Sequence, residues 1–227
     1  MKNILKKCWR ICFLAYAAIY LPWFFYLEKV ITPSTENLHI IHSAIDSLIP
    51  FCEYFIIPYV IWFFYIAVSC VYMFFKGTNE EYLKFALSLV IGMSIAMLIC
   101  TFFPNGLNLR PEIMPRNNAF SDAVAYLYST DTPTNVFPSI HVYNSLAIHI
   151  ALAKCKAMEK HRTIKTISLI ICVLICMSTV FLKQHSVIDV LGACIMMAVL
   201  YVVLYVPDYK QLFQRAKNKE DELIQQN

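Results

Sequence analysis

The sequence predicts an all-α protein, a polytopic transmembrane bundle of about six helices with a short interfacial helix in the loop between the third and fourth spans. Three observations predict it. Of 227 residues, 59% are hydrophobic and 15% charged, whereas soluble domains run at roughly 45–50% apolar and about 25% charged. Long apolar stretches recur along the whole chain, with no polar half, internal repeat or Gly/Ser-rich linker, so residues 1–227 read as a single membrane domain. Lysine and arginine are also distributed unevenly between alternate loops, as the two faces of a membrane require. The net charge of +4 comes without a basic stripe interleaved with exposed aromatics, which argues against nucleic acid as a partner.

A bilayer's hydrocarbon core takes roughly 20 apolar residues per helix. Residues 8–26, 51–75, 85–103, 164–182 and 186–205 meet that length, and 138–157 does so despite the interruptions of His141 and His149. In the first stretch Ala15-Tyr16-Ala17 has the form of a signal-peptide cleavage site. The apolar run nevertheless continues through Trp23, Phe24 and Phe25, so an uncleaved anchor is expected. Six spans put both termini on one side. Alternate loops then divide the lysines and arginines fifteen to four, the four being Lys29, Arg110, Arg116 and Lys183. The side richer in positive charge is cytoplasmic. A cell-membrane protein is therefore expected, with both termini inside and the loops around 29–50, 104–137 and 183–185 facing the extracytoplasmic side. Within 104–137, Asn117 or Asn118 is placed to cap a helix over about 119–128, whose Phe120, Val124 and Leu127 share a face. Residues 207–227 read as a polar cytoplasmic tail. Nine cysteines include no Cys-x-x-Cys pair, and Cys8 with Cys12 or Cys172 with Cys176, though on shared helical faces, read as small packed hydrophobes.

Three polar clusters stand at the outer ends of spans. Arg110, in Asn108-Leu109-Arg110-Pro111, follows the third span. Its planar fork suits two phosphate oxygens at once, and taken alone it equally suits lipid headgroups. Phe137-Pro138-Ser139-Ile140-His141 opens the fourth span as a helix start, where free amides, the positive dipole end and a serine hydroxyl favour an anion. Lys183-Gln184-His185-Ser186-Val187-Ile188-Asp189 leads into the last span. His185 and Asp189 are one helical turn apart, and a carboxylate on one imidazole nitrogen leaves the other free to attack. An aspartate in an apolar span is itself a functional candidate, the alternative being a structural hydrogen bond. All three clusters fall on the same expected side, as one composite site requires. His39, His42, His149 and Glu53 have no partner that the sequence identifies, and His149 is expected to be a packed or hydrogen-bonded residue.

Arg110-Pro111, Pro138-Ser139-x-His141 and His185-x-x-x-Asp189, in that order and helix context, resemble the three signature motifs of the type 2 phosphatidic acid phosphatase superfamily. The resemblance covers about residues 85–205. It implies that His185 is a nucleophile forming a phosphohistidine, that Asp189 orients it, that His141 protonates the leaving group, and that Arg110 and Ser139 hold the phosphate. Two family cations are missing. The lysine seven residues before the arginine is Phe103 here, and the arginine six residues before the nucleophilic histidine is Thr179, after a retained Ser178. Lys183 or Arg116 are the candidates to replace them. This variant pattern is similar to the branch containing inositol phosphorylceramide and sphingomyelin synthases.

A membrane phosphatase of phosphomonoester or diphosphate lipids is therefore expected, with catalytic His185, His141 and Asp189 and phosphate-binding Arg110, Ser139 and Lys183. Neither cofactor nor metal is required, because the histidines do not cluster with carboxylates or thiols as ligands do. The alternative within the enzyme class is a phosphotransferase that moves a phosphodiester headgroup to a lipid alcohol, since a diester carries one negative charge fewer and needs fewer cations. A lipid transporter or scaffold that merely recognises headgroups is the alternative outside it. In every case the partners are a phospholipid or related lipid phosphate and the bilayer.

Overall fold

The computed structural model describes residues 8–207. The first seven residues, and the expected tail beyond 207, lie outside the described part. A 3-10 stretch, Cys8–Tyr16, runs into α1 (Ala17–Val30). There follow α2 (Ile56–Lys76), α3 (Asn79–Phe102), α4 (Ala119–Thr130), α5 (Ile140–Lys154), α6 (Arg162–Phe181) and α7 (Val187–Tyr205). The all-α, polytopic architecture is that expected from the sequence.

Local sequence explains most helix ends. Thr78 and Glu81 form a capping box in which each side chain accepts the other residue's backbone N–H. This starts α3 six residues before its apolar run and keeps Lys84 on the helix, paired with Glu80 one turn earlier. The short α4 lies where an interfacial helix was expected, and Asn118 rather than Asn117 caps it, accepting from the amides of Phe120 and Ser121 at 3.0 Å. Helix α1 runs four residues past the expected end at Tyr26 and so carries Glu28 on its last turn.

Among the described residues five segments are long and apolar enough to cross a membrane: Trp9–Val30, Glu53–Lys76, Asn79–Phe102, Arg162–Phe181 and Val187–Tyr205. The sixth expected span, α5, has 15 residues, about 22 Å at 1.5 Å per residue and short of a core about 30 Å thick. Its surroundings explain the difference. Helix α5 packs against α2, α3, α6 and α7, and Val142, Tyr143, Ala147 and Ile148 are buried. Protein rather than lipid covers it, so it tolerates Asn144, Ser145 and His149. On this helix Tyr143 donates its hydroxyl to the Ser88 carbonyl at 2.7 Å. Its ring lies across Gly92 of α3, where an added Cβ would sit 2.0 Å from a ring carbon.

At one end of the bundle the loops are tied together. Two-residue strands β1 (His39–Ile40) and β2 (Asn105–Gly106) pair in parallel, and Gly106 also bridges to Thr134. The buried Asn105 accepts the amides of Val136 and Phe137 on its Oδ1 at 2.9 and 2.8 Å, which sets the approach to α5.

Gly92→Ala is expected to force the Tyr143 ring off α3 and to lower stability by about 1–3 kcal/mol, the usual cost of overpacking a dense core. Thermal unfolding of the detergent-solubilised protein measures it.

Candidate active site

Helix α6 ends in a Schellman turn. The Lys183 amide donates to Val180 and the Gln184 amide to Thr179, while Lys183 itself adopts the left-handed conformation at φ 52°. The chain thereby reverses within three residues and delivers His185 to the start of α7. There Ser186 caps the helix and Asp189 closes a capping box, accepting the Ser186 amide at 2.8 Å. The same Asp189 oxygen lies 3.3 Å from His185 Nδ1. His185 thus precedes the helix instead of lying on it, and the carboxylate that completes the cap also orients the imidazole. With Nδ1 facing a carboxylate, Nε2 is the nitrogen left for chemistry.

Helix α5 meets this pair through its own first turn. The Ser139 amide donates to the Asp189 carbonyl at 3.2 Å, and the Ser139 hydroxyl caps α5 by accepting from Val142 at 3.4 Å. His141 stands one residue into the helix. Its ring packs on Trp62 and Tyr59 of α2, with centroids 4.2 and 4.7 Å away, and lies 5.7 Å from the His185 ring. The imidazoles of His141 and His185, far apart in sequence, therefore face one space.

That space is a small pocket of about 60 Å³, and its lining includes Glu28, Asp131, Asn135, His141, Gln184 and His185. Neither Arg110, Lys183 nor Ser139 lines it. Arg110 spends its two terminal nitrogens on protein, while its buried Nε has no hydrogen-bond partner among the described residues. One terminal nitrogen donates to the carbonyls of Tyr128 (3.3 Å) and Asp131 (2.7 Å), and the other to the carbonyl of Thr132 (3.2 Å) and to Gln184 Oε1 (2.5 Å). Its guanidinium also sits 4.6 Å over the Tyr128 ring. Burial makes the charged guanidinium less favourable, an effect that Asp131 opposes, and arginine stays protonated regardless. Burial likewise pushes the Asp131 carboxyl up, with Arg110 and then His185 pulling it back. Tyr59 donates to Asp131 Oδ2 at 3.1 Å, and Glu28 accepts from Thr132 Oγ1 and Asn135 Nδ2. Gln184 is 3% exposed, and its Nε2 has no hydrogen-bond partner among the described residues. Such a buried, unpaired donor costs about 1–3 kcal/mol.

Lys183 is bound elsewhere too. Its Nζ donates to the carbonyls of Asp46 (2.7 Å) and Ile49 (2.5 Å), and burial lowers its proton affinity while Asp46 raises it. Arg116 pairs with the buried Glu53 at 2.7 Å, and Asn118 donates to the other Glu53 oxygen, so Glu53 has the partners that its sequence context did not reveal. His149 hydrogen-bonds Ser168 at 3.1 Å and His39 stacks on Phe103. Among the described residues no three His, Cys, Asp or Glu side chains are grouped to hold a metal ion.

Asp46, Glu28 and Asp131 escaped the sequence reading, as did the pocket-lining Asn135 and Gln184. Asp46 accepts from the Ser186 hydroxyl (2.6 Å) and the Val187 amide (2.8 Å), capping α7 from a distant loop. Its only sequence signal is the local box Ser43-x-x-Asp46. Glu28 was missed because the first span was ended at Tyr26, and Asp131 because nothing in a polar loop marks one carboxylate above another.

The fold and this pocket define a helical membrane protein that pairs a carboxylate-oriented histidine with a second histidine at one end of its bundle. The chain matches the PAP2 superfamily model over residues 85–212, more than half its length, and belongs to that superfamily. It is accordingly a lipid enzyme of the phosphatase or phosphotransferase type. No curated protein and no solved structure gives a match.

Two outcomes follow from the placement of Lys183 and Asp46. Lys183→Met is expected to lower the melting temperature while leaving KM for a lipid phosphate unchanged, because the ammonium holds a loop and not the substrate. Asp46→Ala removes an N-cap, with a cost of about 0.5–2 kcal/mol, and is expected to reduce kcat as well by loosening the turn that presents His185. Unfolding and steady-state kinetics on the same preparations check both.

Proposed function

We propose that the protein transfers the phosphoryl headgroup of a phosphodiester lipid to an acceptor hydroxyl through a phosphohistidine on His185. Neutral His185 attacks phosphorus through Nε2 as the bond to the lipid alkoxide breaks, and protonated His141 gives that alkoxide its proton. An acceptor alcohol, or water, then loses its proton to His141 and attacks phosphorus, breaking the P–N bond and restoring both imidazoles. Asp189 holds the His185 tautomer and offsets the charge that the ring acquires.

The observation that carries this reading is the facing pair of imidazoles, 5.7 Å apart, with Asp189 behind one of them. Pocket charge supports the diester over the monoester or diphosphate. Glu28 and Asp131 line the space, while Arg110 and Lys183 are engaged by carbonyl oxygens. A phosphomonoester dianion beside two carboxylates meets repulsion that no cation lining the pocket relieves by direct contact, and a monoanionic diester meets less of it. The pocket of about 60 Å³ accommodates a phosphoryl group, with the acyl chains outside it in the bilayer. Ser139 contributes by capping the helix that carries His141. The bias of positive residues towards the opposite loops supports an extracytoplasmic site with both termini in the cytoplasm, α5 being counted as the sixth crossing.

The test is purified protein incubated in chelator with phosphatidate and with diester lipids, scoring free phosphate against transferred headgroup. Headgroup transfer from a diester is expected, and release of phosphate from phosphatidate alone would establish the phosphomonoesterase instead. His185→Ala is expected to abolish turnover and the acid-labile phosphoprotein while retaining lipid binding. His141→Ala is expected to slow turnover by about 10²–10⁴-fold, the usual contribution of a general acid. Undiminished function in His185→Ala would identify a binder or transporter.

A further inference from the structure

Gln184 precedes His185 in sequence and takes no part in the proposed attack or proton transfers. Its orientation is nevertheless determined. A guanidinium has donors and no acceptor, so the atom that meets Arg110 must be the amide oxygen. The NH2 group is therefore the end of the amide that Arg110 leaves free, and Gln184 lines the same pocket as His141 and His185. This Nε2 is buried and without a partner among the described residues. An oriented, desolvated donor beside a nucleophile is what a developing negative charge on oxygen requires.

We infer that Gln184 Nε2 donates a hydrogen bond to a non-bridging oxygen of the substrate phosphoryl group, and that Arg110 acts through it as a positioning residue. The inference rests on His185 being the phosphoryl acceptor. Arg110 fixes the amide by its bond to Oε1 and polarises it, so the N–H carries more positive charge than a free amide would. The phosphoryl group thus receives the influence of a cation without contact with one. This neutral donor, in a pocket lined by Glu28 and Asp131, makes Gln184 a determinant of specificity for a monoanionic phosphodiester over a dianionic monoester.

The experiment uses the full-length protein in mixed micelles with phosphatidate, with the diester lipid turned over, and with the Rp and Sp phosphorothioate isomers of that diester. Gln184→Met keeps the size and removes the donor, and it is expected to lower kcat/KM for the diester by about 10²–10³-fold, the loss seen on removing one oxyanion donor. Because sulfur accepts hydrogen bonds poorly, the parent is expected to discriminate between the two isomers, and Gln184→Met to lose that discrimination. A purely structural role would leave the isomer preference intact. Parent-like kcat/KM and isomer preference in Gln184→Met, at unchanged melting temperature, would overturn the inference. With His185→Ala inactive, that result would leave the phosphohistidine reading standing, whereas activity in His185→Ala would remove both.

Discussion

The end of the bundle is organised around one buried guanidinium. Arg110 gathers the carbonyls of Tyr128, Asp131 and Thr132, which the C-terminus of α4 and the following turn leave without intrahelical partners. It then reaches Gln184 on the far side. A planar fork with fixed donors can satisfy four acceptors in one plane, and lysine, with a single ammonium, cannot. The segment thus held supplies Asp131, Thr132, Thr134 and Asn135 to the pocket. That wall of the pocket is therefore a consequence of Arg110.

The inner wall is built from helix caps. Asp189 completes the cap of α7 and orients His185 with the same oxygen. Ser139 caps α5 with its hydroxyl while its amide holds the Asp189 carbonyl. Asp46, from the first loop, adds acceptors to Ser186 and Val187, and Lys183 binds that loop in return. Each of these residues meets a backbone group that would otherwise be buried unpaired, so the cost of ordering the site is shared with folding. His141 is instead placed by van der Waals contact, between Trp62 and Tyr59. The close approach of Tyr143 to Gly92 fixes the depth of α5 in the bundle and with it the height of His141.

What the sequence disclosed followed from signals that act locally. Apolar length located the five spans, Asn118 and the spacing of Phe120, Val124 and Leu127 located α4, and the i, i+4 relation of His185 and Asp189 located the oriented imidazole. The partners of the cations were hidden because they are backbone carbonyls, which no residue identity reveals. Arg110 and Lys183 look like phosphate ligands in sequence and prove to be braces for residues 128–132 and 46–49. Helix α5 looked like an ordinary span because its length of chain sufficed, although the helix itself stops at Lys154 and is covered by four neighbours. Asp46 and Gln184 act across 140 and 74 residues of separation respectively, distances over which a single sequence carries no pairing signal.

The charge balance of the pocket explains why an amide serves better than an added cation beside His185. A lysine at position 184 would find Asp131 and Glu28 within the same small space and pair with them, since opposite charges in a site of low dielectric attract strongly. The ion pair would cancel the charge intended for the phosphoryl group. It would also compete with the hydrogen bonds that Glu28 accepts from Thr132 and Asn135. An amide held by Arg110 is drawn far less to the carboxylates, because its oxygen is already committed to the guanidinium. On the proposed reading the two carboxylates are left to face whatever the phosphoryl group carries, so the pocket would select against a second negative charge at the same point where it offers a donor to the first.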